Sequence, residues 1–190
     1  MRRRLVFVAA AACTFATGAL AQAMTVDALQ RLLKTAPGGS VIAFEETRES
    51  PWLAAPVLSK GVMKSGAQGL EKSVEQPRRE TWRILPDRVQ HMAPGASAPS
   101  ELMFSAAPGV ALLAGTLRRV VAGDLESLAQ DYHLQPAGDE RQWTLQLTPR
   151  RPEVARVVSR VELQGEGARL RVISIDEPRG ERTTTRLSHH

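Results

Sequence analysis

The sequence predicts an α+β fold in which helices cover one face of a single antiparallel sheet. Three observations support this prediction. Apolar residues recur at helical spacing near the N-terminus and again in the middle of the chain. Most other segments alternate apolar and polar residues, as half-buried strands do. Short turns join these segments, so neighbouring strands can pair only in the antiparallel sense.

The N-terminus has the pattern of a cleavable secretory signal peptide. Three arginines follow Met1, a mostly apolar run extends over Leu5–Leu20, and Ala19–Ala23 contains two overlapping A-x-A cleavage sites. This order of a basic, an apolar and a small-residue region is typical of exported proteins. A membrane anchor is the alternative, but the run is short and interrupted for a spanning helix. We therefore expect cleavage after Ala21 or Ala23 and a mature protein in the bacterial periplasm.

Loss of the leader, residues 1–23, changes the bulk properties of the chain. The formal net charge of +5 falls to +2, because the leader contains three arginines and no acidic residue. The only cysteine, Cys13, lies in the leader, which excludes disulfides, thiol nucleophiles and thiolate metal ligands from the mature chain. No later run reaches about 18 apolar residues, so no spanning helix is expected. Residues 24–190 have a length suited to a single domain.

The first half of this domain is predicted to be one helix followed by strands. Thr25 is the expected N-cap of the helix, and Pro37–Gly39 is its expected stop. Ile42 and Phe44 share a face of the first strand. The helix has an apolar face made of Val26, Leu29, Leu32 and Leu33, and strands are expected over residues 41–48, 57–63, 70–74, 80–85 and 88–92.

A pair of helices and four further strands are predicted to follow. A loop over residues 92–100 precedes a helix that begins at Pro108 and is ended by Gly123. Asp124 caps the second helix. The first helix carries an apolar stripe of Val110, Leu113, Leu117, Val120 and Val121, the second carries Leu125, Leu128 and Tyr132, and strands are expected over residues 142–147, 157–163, 170–175 and 182–187.

The residue types that catalysis needs are present, but they are not arranged for it. The four histidines have no partner at metal-ligand spacing, and neither G-x-S-x-G nor H-E-x-x-H occurs. Asp176 and Glu177 could form an acid–base pair, but the turn that follows them favours a solvated position. We expect no enzymatic activity, no cofactor and no metal. An enzyme acting on lipids or glycans is the remaining catalytic alternative.

Basic residues are also not arranged for nucleic acid, and no nucleic-acid partner is expected. The doublets Arg78-Arg79, Arg118-Arg119 and Arg150-Arg151 are scattered along the chain and lack interleaved aromatic residues. Attraction to anionic lipid headgroups is an alternative use of these charges.

Several segments, in their order along the chain, resemble the outer-membrane lipoprotein carrier family (LolA/LolB-like), in particular its divergent LolA-related branch. The F-x-E/Q of the family's first strand is similar to Phe44-Glu45-Glu46, and its W-x-L-x-L-x-P strand is similar to Trp143–Pro149. Its other motifs are similar to Gly61-Val62-Met63, to Leu70-Glu71-Lys72 with Pro77, Glu80 and Trp82, and to Gly180-Glu181-Arg182-Thr183. The chain departs from the family where Pro86–Met92 stands in place of a D-G-x-x-x-W-x-Y stretch.

The resemblance implies a strongly curved antiparallel sheet, an incomplete β-barrel, covered on its concave side by helices that enclose an apolar cavity for acyl chains. It implies a monomeric, non-enzymatic carrier that takes a lipidated or lipidic cargo from an inner-membrane exporter to an outer-membrane acceptor. The departure favours a lipidic product, such as aryl polyene or glycolipid material, over a lipoprotein. We expect the cavity to be lined by Ile42, Phe44, Val62, Leu70, Trp82, Ile84, Leu113, Leu117, Trp143 and Leu145.

Two features could help to move the cargo. Lys72 shares a strand face with Leu70, so it either points into the concavity, as a contact to the lid or to a headgroup, or reaches solvent near the strand end. The helix over residues 108–122 is either a movable lid, with Arg118 and Arg119 on its wet side, or a static core helix. The alternative function is a periplasmic regulatory or assembly module of the same fold that binds a protein partner.

Overall fold

The structure is a computed structural model that describes residues 23–36, 41–66 and 68–189. The predicted leader, up to residue 22, and the predicted helix stop at Pro37–Gly39 lie outside these residues. The described residues form four helices, α1 (Val26–Lys34), α2 (Pro108–Val121), α3 (Leu125–Asp131) and α4 (Pro152–Ala155). They form eleven strands, β1 (Val41–Glu49), β2 (Val57–Gly66), β3 (Gly69–Gln76), β4 (Glu80–Ile84), β5 (Arg88–Met92), β6 (Ser100–Met103), β7 (Tyr132–Gly138), β8 (Gln142–Pro149), β9 (Arg160–Glu166), β10 (Arg169–Asp176) and β11 (Arg182–His189).

All of these strands belong to one antiparallel sheet, in the order β6-β5-β4-β3-β2-β1-β11-β10-β9-β8-β7. Strands β1 to β6 form one meander, and strands β7 to β11 form another. The pairing of β1 with β11, which places Phe44 opposite Leu187, joins the two meanders. Because β6 and β7 are both edge strands, the sheet is not closed into a barrel. The predicted α+β fold with an incompletely closed antiparallel sheet is confirmed.

The helix starts lie where the capping residues predict them. The Thr25 hydroxyl accepts a hydrogen bond from the Ala28 N–H at 3.2 Å, and the Asp124 carboxylate accepts one from the Ser127 N–H at 3.1 Å. Pro108 occupies the first turn of α2, where its missing N–H leaves no helical bond unmade. The two side-chain caps satisfy N–H groups that a helix start otherwise leaves free, which is why a local signal suffices to place them.

One strand, β7, replaces part of the second predicted helix. The prediction that Tyr132 continues that helix is wrong, because α3 ends at Asp131 and Tyr132 begins β7. The strand contains Pro136, which argues against a strand when only the sequence is read. Since β7 is an edge strand, it pairs on one side only, and a proline is tolerated there.

A short helix replaces the start of another predicted strand. The strand expected from Val157 begins only at Arg160, and α4 precedes it. Val154 lies in α4, Val158 follows this helix, and both are buried. Buried valines at this spacing resemble the alternation of a strand when only the sequence is read. Pro152 at the first position of α4 favours this turn. The edge strand β6 is the other element that was not predicted.

A single hydrophobic core lies between the sheet and the helices. It combines residues from both meanders, such as Phe44 and Leu145, with residues from the helices, such as Leu29 and Leu128. Gln30 on α1 links the helices, because its side chain donates a hydrogen bond to the Gly123 carbonyl at 2.9 Å and accepts one from the Leu125 N–H at 2.8 Å. The helices therefore cover the same face of the sheet as one connected group.

Candidate functional site

The inner face, defined as the sheet face that contains Phe44, Leu70, Ile84, Trp143 and Leu145, faces the helices. These five residues were predicted to line a cavity, and each is at most 8% exposed. They belong to one hydrophobic core together with residues of the helices. In this structure, the protein's own side chains therefore fill the space that the sequence assigns to a cavity.

Two further predicted residues, Ile42 and Trp82, lie on the inner face but are only half-buried. The strand register connects them in one row, because Ile42 lies opposite Met63, Met63 opposite Lys72, and Lys72 opposite Trp82. This row crosses β1, β2, β3 and β4. Both half-buried residues pack against the core, so they form its boundary with solvent.

Val62 lies on the outer face of the sheet, opposite Ala43 and Ser73. The prediction that Val62 lines the cavity is therefore wrong, and its neighbour Met63 takes the buried inner position. Both residues are apolar, so alternation alone does not tell which of them faces inward. A β-bulge beside Gly61 also shifts the register between β2 and β3, which a sequence pattern does not reveal.

Four of the five residues in the predicted stripe of helix α2, all except Val110, lie in the core or pack against it. Leu113 and Leu117 are half-buried against the core, whereas Val110 is 40% exposed. Thr116 is buried, and its hydroxyl lies 2.8 Å from the Tyr132 hydroxyl at the start of β7. Burial raises the pKa of Tyr132 above its usual value, so this hydroxyl stays neutral and can keep the bond. Polar and apolar contacts thus hold the middle of α2 on the inner face.

Arg119 does not lie on a wet side of α2, contrary to the expectation for Arg118 and Arg119. Its guanidinium donates hydrogen bonds to the Asp131 carboxylate and to the Ser127 carbonyl, both at 2.9 Å. Asp131 also pairs with Arg151 at 2.6 Å. These bonds fasten the C-terminal half of α2 to α3, so the two ends of α2 are held differently.

Lys72 points into the inner face, as one of its two predicted orientations requires. Its Nζ donates to the Glu46 carboxylate at 2.6 Å and lies 4.8 Å from the centre of the Phe44 ring. The other Glu46 oxygen accepts a hydrogen bond from the Thr185 hydroxyl at 2.8 Å. The side chains of Lys72 and Glu46 are only 15% and 18% exposed. In this structure the ammonium group of Lys72 therefore binds Glu46, and it does not contact a lid carbonyl.

A second polar cluster lies beside Trp82 on the inner face. The His91 ring stacks on the indole of Trp82, with centroids 3.8 Å apart and planes inclined by 15°. The Nε2 atom of His91 lies 2.9 Å from the Glu80 carboxylate. The cluster places polar groups at the exposed border of the apolar row. His133, by contrast, is exposed on β7 and lies outside the inner face.

Sequence reasoning missed Glu46, Thr185 and His91 as parts of this site. Glu46 lies two residues after Phe44 and four after Ile42, so it shares their strand face. This spacing is the only local signal in the sequence that indicates Glu46. Its partner Lys72 lies two strands away, across β2, and Thr185 comes from the far end of the chain. Contacts of this kind depend on the strand order and register, which single-sequence patterns do not provide.

A separate groove lies outside the inner-face core, at the end of the β3–β4 hairpin. It has a volume of about 750 Å³, and none of the predicted cavity residues lines it. Glu75, Arg79 and Glu80 contribute charged groups to its walls, beside Val74 and Met92. These walls are poorly suited to an acyl chain, because burial of charged groups beside it would cost free energy. The inner face is therefore the better candidate for a site that binds an acyl chain.

Two further observations concern the part of the chain that the structure describes. No three His, Cys, Asp or Glu side chains in it are grouped so that they could hold a metal ion. None of its helices is long and apolar enough to cross a membrane.

The comparison with protein families matches almost the whole chain. A family model described as outer membrane lipoprotein carrier protein LolA-like matches residues 18–189. The chain belongs to this LolA-like family. The resemblance seen in the sequence motifs is thereby confirmed, and membership points to a lipoprotein-carrier type of function. No curated protein matches the chain.

Solved structures similar to the LolA-like chain share little sequence with it. A LolA superfamily protein from Nitrosomonas europaea is 14% identical, with a TM-score of 0.43 over 87% of this chain and 92% of that one. A putative outer membrane lipoprotein-sorting protein domain from Vibrio parahaemolyticus is 10% identical, with a TM-score of 0.45 over 86% and 88%. A DUF1329 family protein from Desulfovibrio piger is 12% identical, with a TM-score of 0.44 over 86% and 89%.

Proposed function

We propose that this LolA-like protein is a non-enzymatic periplasmic carrier that holds the acyl part of a lipidated or lipidic cargo on its inner face. It receives the cargo from an inner-membrane exporter, passes it to an outer-membrane acceptor, and works as a monomer without a cofactor. The observation that carries the proposal is the continuous apolar inner face of an open sheet. Helices that lie on such a face can move away from it without breaking strand pairing.

Moving a lipid through water requires an apolar surface that replaces the water around its acyl chain. Each methylene of an acyl chain costs about 0.8 kcal/mol to expose, so a long chain costs on the order of 10 kcal/mol. Because side chains fill the inner face in this structure, an acyl chain must take the place of some of them. The half-buried residues Ile42, Trp82, Leu113 and Leu117 lie at the border of the core, where an incoming chain would first make contact.

The two halves of α2 suggest how the inner face opens. The C-terminal half is fastened through Arg119, whereas Ala107, the N-cap, makes no side-chain capping bond and Val110 is exposed. Movement of the N-terminal half would take Leu113 off the core and leave the bond between Arg119 and Asp131 intact. The lid of the carrier is accordingly the first part of α2, and Gly123 does not need to act as a hinge.

The test is binding of a naturally fluorescent fatty acid, cis-parinaric acid, to delipidated protein. Ile42→Glu places a carboxylate on the inner face, and we expect at least about tenfold weaker binding, because an acyl chain would then have to desolvate a charge. Val62→Glu makes the same kind of change at the residue next to Met63, which is the partner of Ile42, but on the outer face, and should bind like the wild type.

Native mass spectrometry of the protein purified from periplasm should also show a bound lipid. Absence of lipid, together with no fluorescence from cis-parinaric acid, would count against the carrier. Equal effects of Ile42→Glu and Val62→Glu would remove the inner face from the mechanism. A stable complex with a protein partner and without lipid would instead support the regulatory or assembly module.

A further inference from the structure

The tip of the β1–β2 hairpin, residues 50–58, is the most apolar exposed segment that the structure describes. Its sequence, Ser-Pro-Trp-Leu-Ala-Ala-Pro-Val-Leu, contains no charged residue. Trp52 is 77% exposed, Leu58 64% and Leu53 42%. Indole and leucine side chains are seldom left in water together, and an exposed group of this kind usually marks an interaction surface.

The hairpin tip projects beyond the neighbouring strand of the sheet. Strands β1 and β2 remain paired up to Arg48 and Val57. Strand β3, in contrast, ends at Gln76, which lies opposite Lys60. Residues 57–59 and the loop before them therefore extend past β3, whereas β11 on the other side of β1 is paired as far as Arg182, opposite Glu49.

The backbone of the tip is suited to a medium of low polarity. The Ser50 carbonyl accepts a hydrogen bond from the Leu53 N–H at 3.1 Å, and the Ser50 hydroxyl accepts one from the Trp52 N–H at 3.3 Å. Pro51 and Pro56 have no N–H. Four of the seven residues in the loop 50–56 thus present no free N–H group, and moving such a group out of water without a partner is costly.

Charges at this end of the sheet complement an anionic surface. Because consecutive strands are antiparallel, the loops that join them lie alternately at the two ends of the sheet. The loops at the end of the hairpin tip contain six arginines and three glutamates, which are Arg78, Arg79, Arg150, Arg151, Arg156 and Arg179 with Glu153, Glu177 and Glu181. The loops at the other end contain one arginine and three acidic residues, which are Arg141 with Asp87, Asp139 and Glu140.

We propose that the hairpin tip docks this protein on the interface of an anionic phospholipid bilayer. The indole of Trp52 lies at the level of the headgroups, the position that tryptophan prefers in membrane proteins. Leu53 and Leu58 enter the outer acyl region, and Arg78 and Arg79 meet lipid phosphates. The docking surface lies outside the inner face, so it stands or falls separately from the site at which cargo is held.

The experiment uses protein-free vesicles of phosphatidylcholine with and without phosphatidylglycerol. Tryptophan fluorescence reports docking, because Trp52 is exposed whereas Trp143 is buried and Trp82 is stacked on His91. We expect a blue shift on vesicles that contain phosphatidylglycerol, and we expect Trp52→Phe to abolish this shift. The wild type should also co-sediment with these vesicles, more weakly at high salt, because salt screens the arginines.

Two leucines of equal exposure provide a matched comparison. Leu53→Ser should weaken co-sedimentation about tenfold, because the leucine no longer leaves water on docking. Leu102 on β6 is 41% exposed, almost the same as Leu53, and Leu102→Ser should leave vesicle binding unchanged. Arg78→Gln with Arg79→Gln should weaken binding several-fold, and only to vesicles that contain phosphatidylglycerol.

Three results would overturn the docking proposal. The first is that the wild type does not bind the vesicles. The second is that Leu53→Ser and Leu102→Ser weaken binding equally. The third is that substitutions in the hairpin tip weaken binding to a membrane protein but leave binding to protein-free lipid unchanged. Binding of cis-parinaric acid by Leu53→Ser is the separating measurement, and it should equal that of the wild type whichever result is obtained.

Discussion

Glu46 and Lys72 neutralise each other at a place where the surroundings are mostly apolar. Their ion pair is 2.6 Å long, and Phe44 lies beside the ammonium group. On the intervening strand β2, Gly61 lies opposite Phe44 and Val74, and a Cβ atom at this position would lie 1.9 Å from the Ser73 carbonyl oxygen. Removal of one partner leaves the other as a poorly solvated charge, which is more costly than loss of the pair.

Lys72→Leu should lower the free energy of unfolding by about 1–3 kcal/mol, because Glu46 then lacks its counter-charge. The double variant Lys72→Leu with Glu46→Leu should lie within about 1 kcal/mol of the wild type, since neither charge remains. Urea unfolding of the four members of the cycle measures the coupling. Additive effects of the two substitutions would show that the pair is not coupled. An unchanged rate of lipid transfer in Lys72→Leu would remove Lys72 from the transport mechanism.

The Trp143 ring occupies the place that a side chain at residue 165 would need. A Cβ atom at Gly165 would lie 2.0 Å from the Trp143 ring. The ring has little freedom to move, because Trp143 is buried and its Nε1–H donates to the Gly167 carbonyl at 2.8 Å. Gly165 is therefore required by the packing of a neighbouring strand and not by its own backbone conformation.

Gly165→Ala should destabilise the protein by about 1–3 kcal/mol through overpacking against Trp143. Gly66→Ala is the matched control on another strand, because a Cβ at Gly66 meets no atom within 4 Å. The control should change the free energy of unfolding by less than about 1 kcal/mol, in the stabilising direction. The measurement is urea unfolding followed by circular dichroism. Equal stabilities of the two variants would contradict the packing argument.

Glu177 gives the protein a pH-dependent contribution to stability. Burial raises the pKa of Glu177 above its usual value of 4.5, and the nearby Glu181 carboxylate raises it further. Since the folded state holds this proton more tightly than the unfolded state, the contribution is favourable below the usual pKa and is lost as the pH rises through the raised pKa. At pH 7 the charged Glu177 is thus a small cost to the folded state.

Glu177→Gln should therefore be more stable than the wild type at pH 7, by a fraction of a kcal/mol. The difference should disappear below the usual pKa of a glutamate, where the wild-type side chain is protonated in both states. Urea midpoints at pH 7 and at a pH near 4 provide the comparison. A glutamine variant that is less stable than the wild type at pH 7 would show that the carboxylate has a favourable partner instead.

At the scale of elements, the two ends of helix α2 are held on the rest of the protein to different extents. Arg119 joins its C-terminal half to α3, and Thr116 joins its middle to β7. The first turn has neither a side-chain cap nor full burial, since Val110 is exposed. Local opening follows the number of buried contacts and protected hydrogen bonds, so it should begin at this turn.

Hydrogen exchange in the empty protein should therefore be faster for amides of the first half of α2 than for those of its second half. Both should exchange faster than the amides of Trp143–Leu147 on the sheet, and addition of an acyl ligand should slow exchange in α2. Uniform protection along α2, equal to that of the sheet and indifferent to ligand, would describe a static core helix.

Substitutions can separate the contribution of Arg119, which joins α2 to α3, from that of its neighbour Arg118. Arg119→Met keeps the apolar stem but removes the bonds to Asp131 and Ser127, and should lower the free energy of unfolding by about 1–3 kcal/mol. Arg118→Met is the control on the same turn and should change stability by less than about 0.5 kcal/mol. Exchange in the second half of α2 should accelerate only in Arg119→Met.

At the scale of the whole molecule, one core connects two meanders that could otherwise be separate units. The connection is made by β1 and β11, which lie at opposite ends of the described chain, and by the helices on the inner face. Because the core is continuous across this pairing, loss of either meander exposes apolar residues of the other. The two meanders should therefore unfold in one cooperative transition.

Tryptophan fluorescence can test this cooperativity. Trp82 lies in the first meander and Trp143 in the second, so variants that lack Trp52 and retain only one of these two report on one meander each. Compared at equal stability, the two reporters should give coincident urea transitions with equal slopes. An earlier transition at Trp82 would show that the first meander opens by itself, which would extend the movable part of the carrier beyond α2.

The sequence by itself determined the fold class, most of the strands and the starts of α1, α2 and α3. Each of these depends on residues close together in the chain, such as Thr25 with Ala28 or Asp124 with Ser127. Motifs in their order along the chain also pointed to the family that the family model confirmed. Local signals therefore sufficed wherever a single cap, turn or alternating segment decided the result.

Only the tertiary structure decided which residues meet on the inner face. The direction of Val62, the pairing of Lys72 with Glu46 and Thr185, and the fastening of Arg119 to Asp131 all depend on strand order, a β-bulge or helix packing. The boundary between α3 and β7 was also decided there, since an edge position makes Pro136 acceptable in a strand. Contacts between distant parts of the chain leave little trace in local patterns, because each partner alone is compatible with several environments.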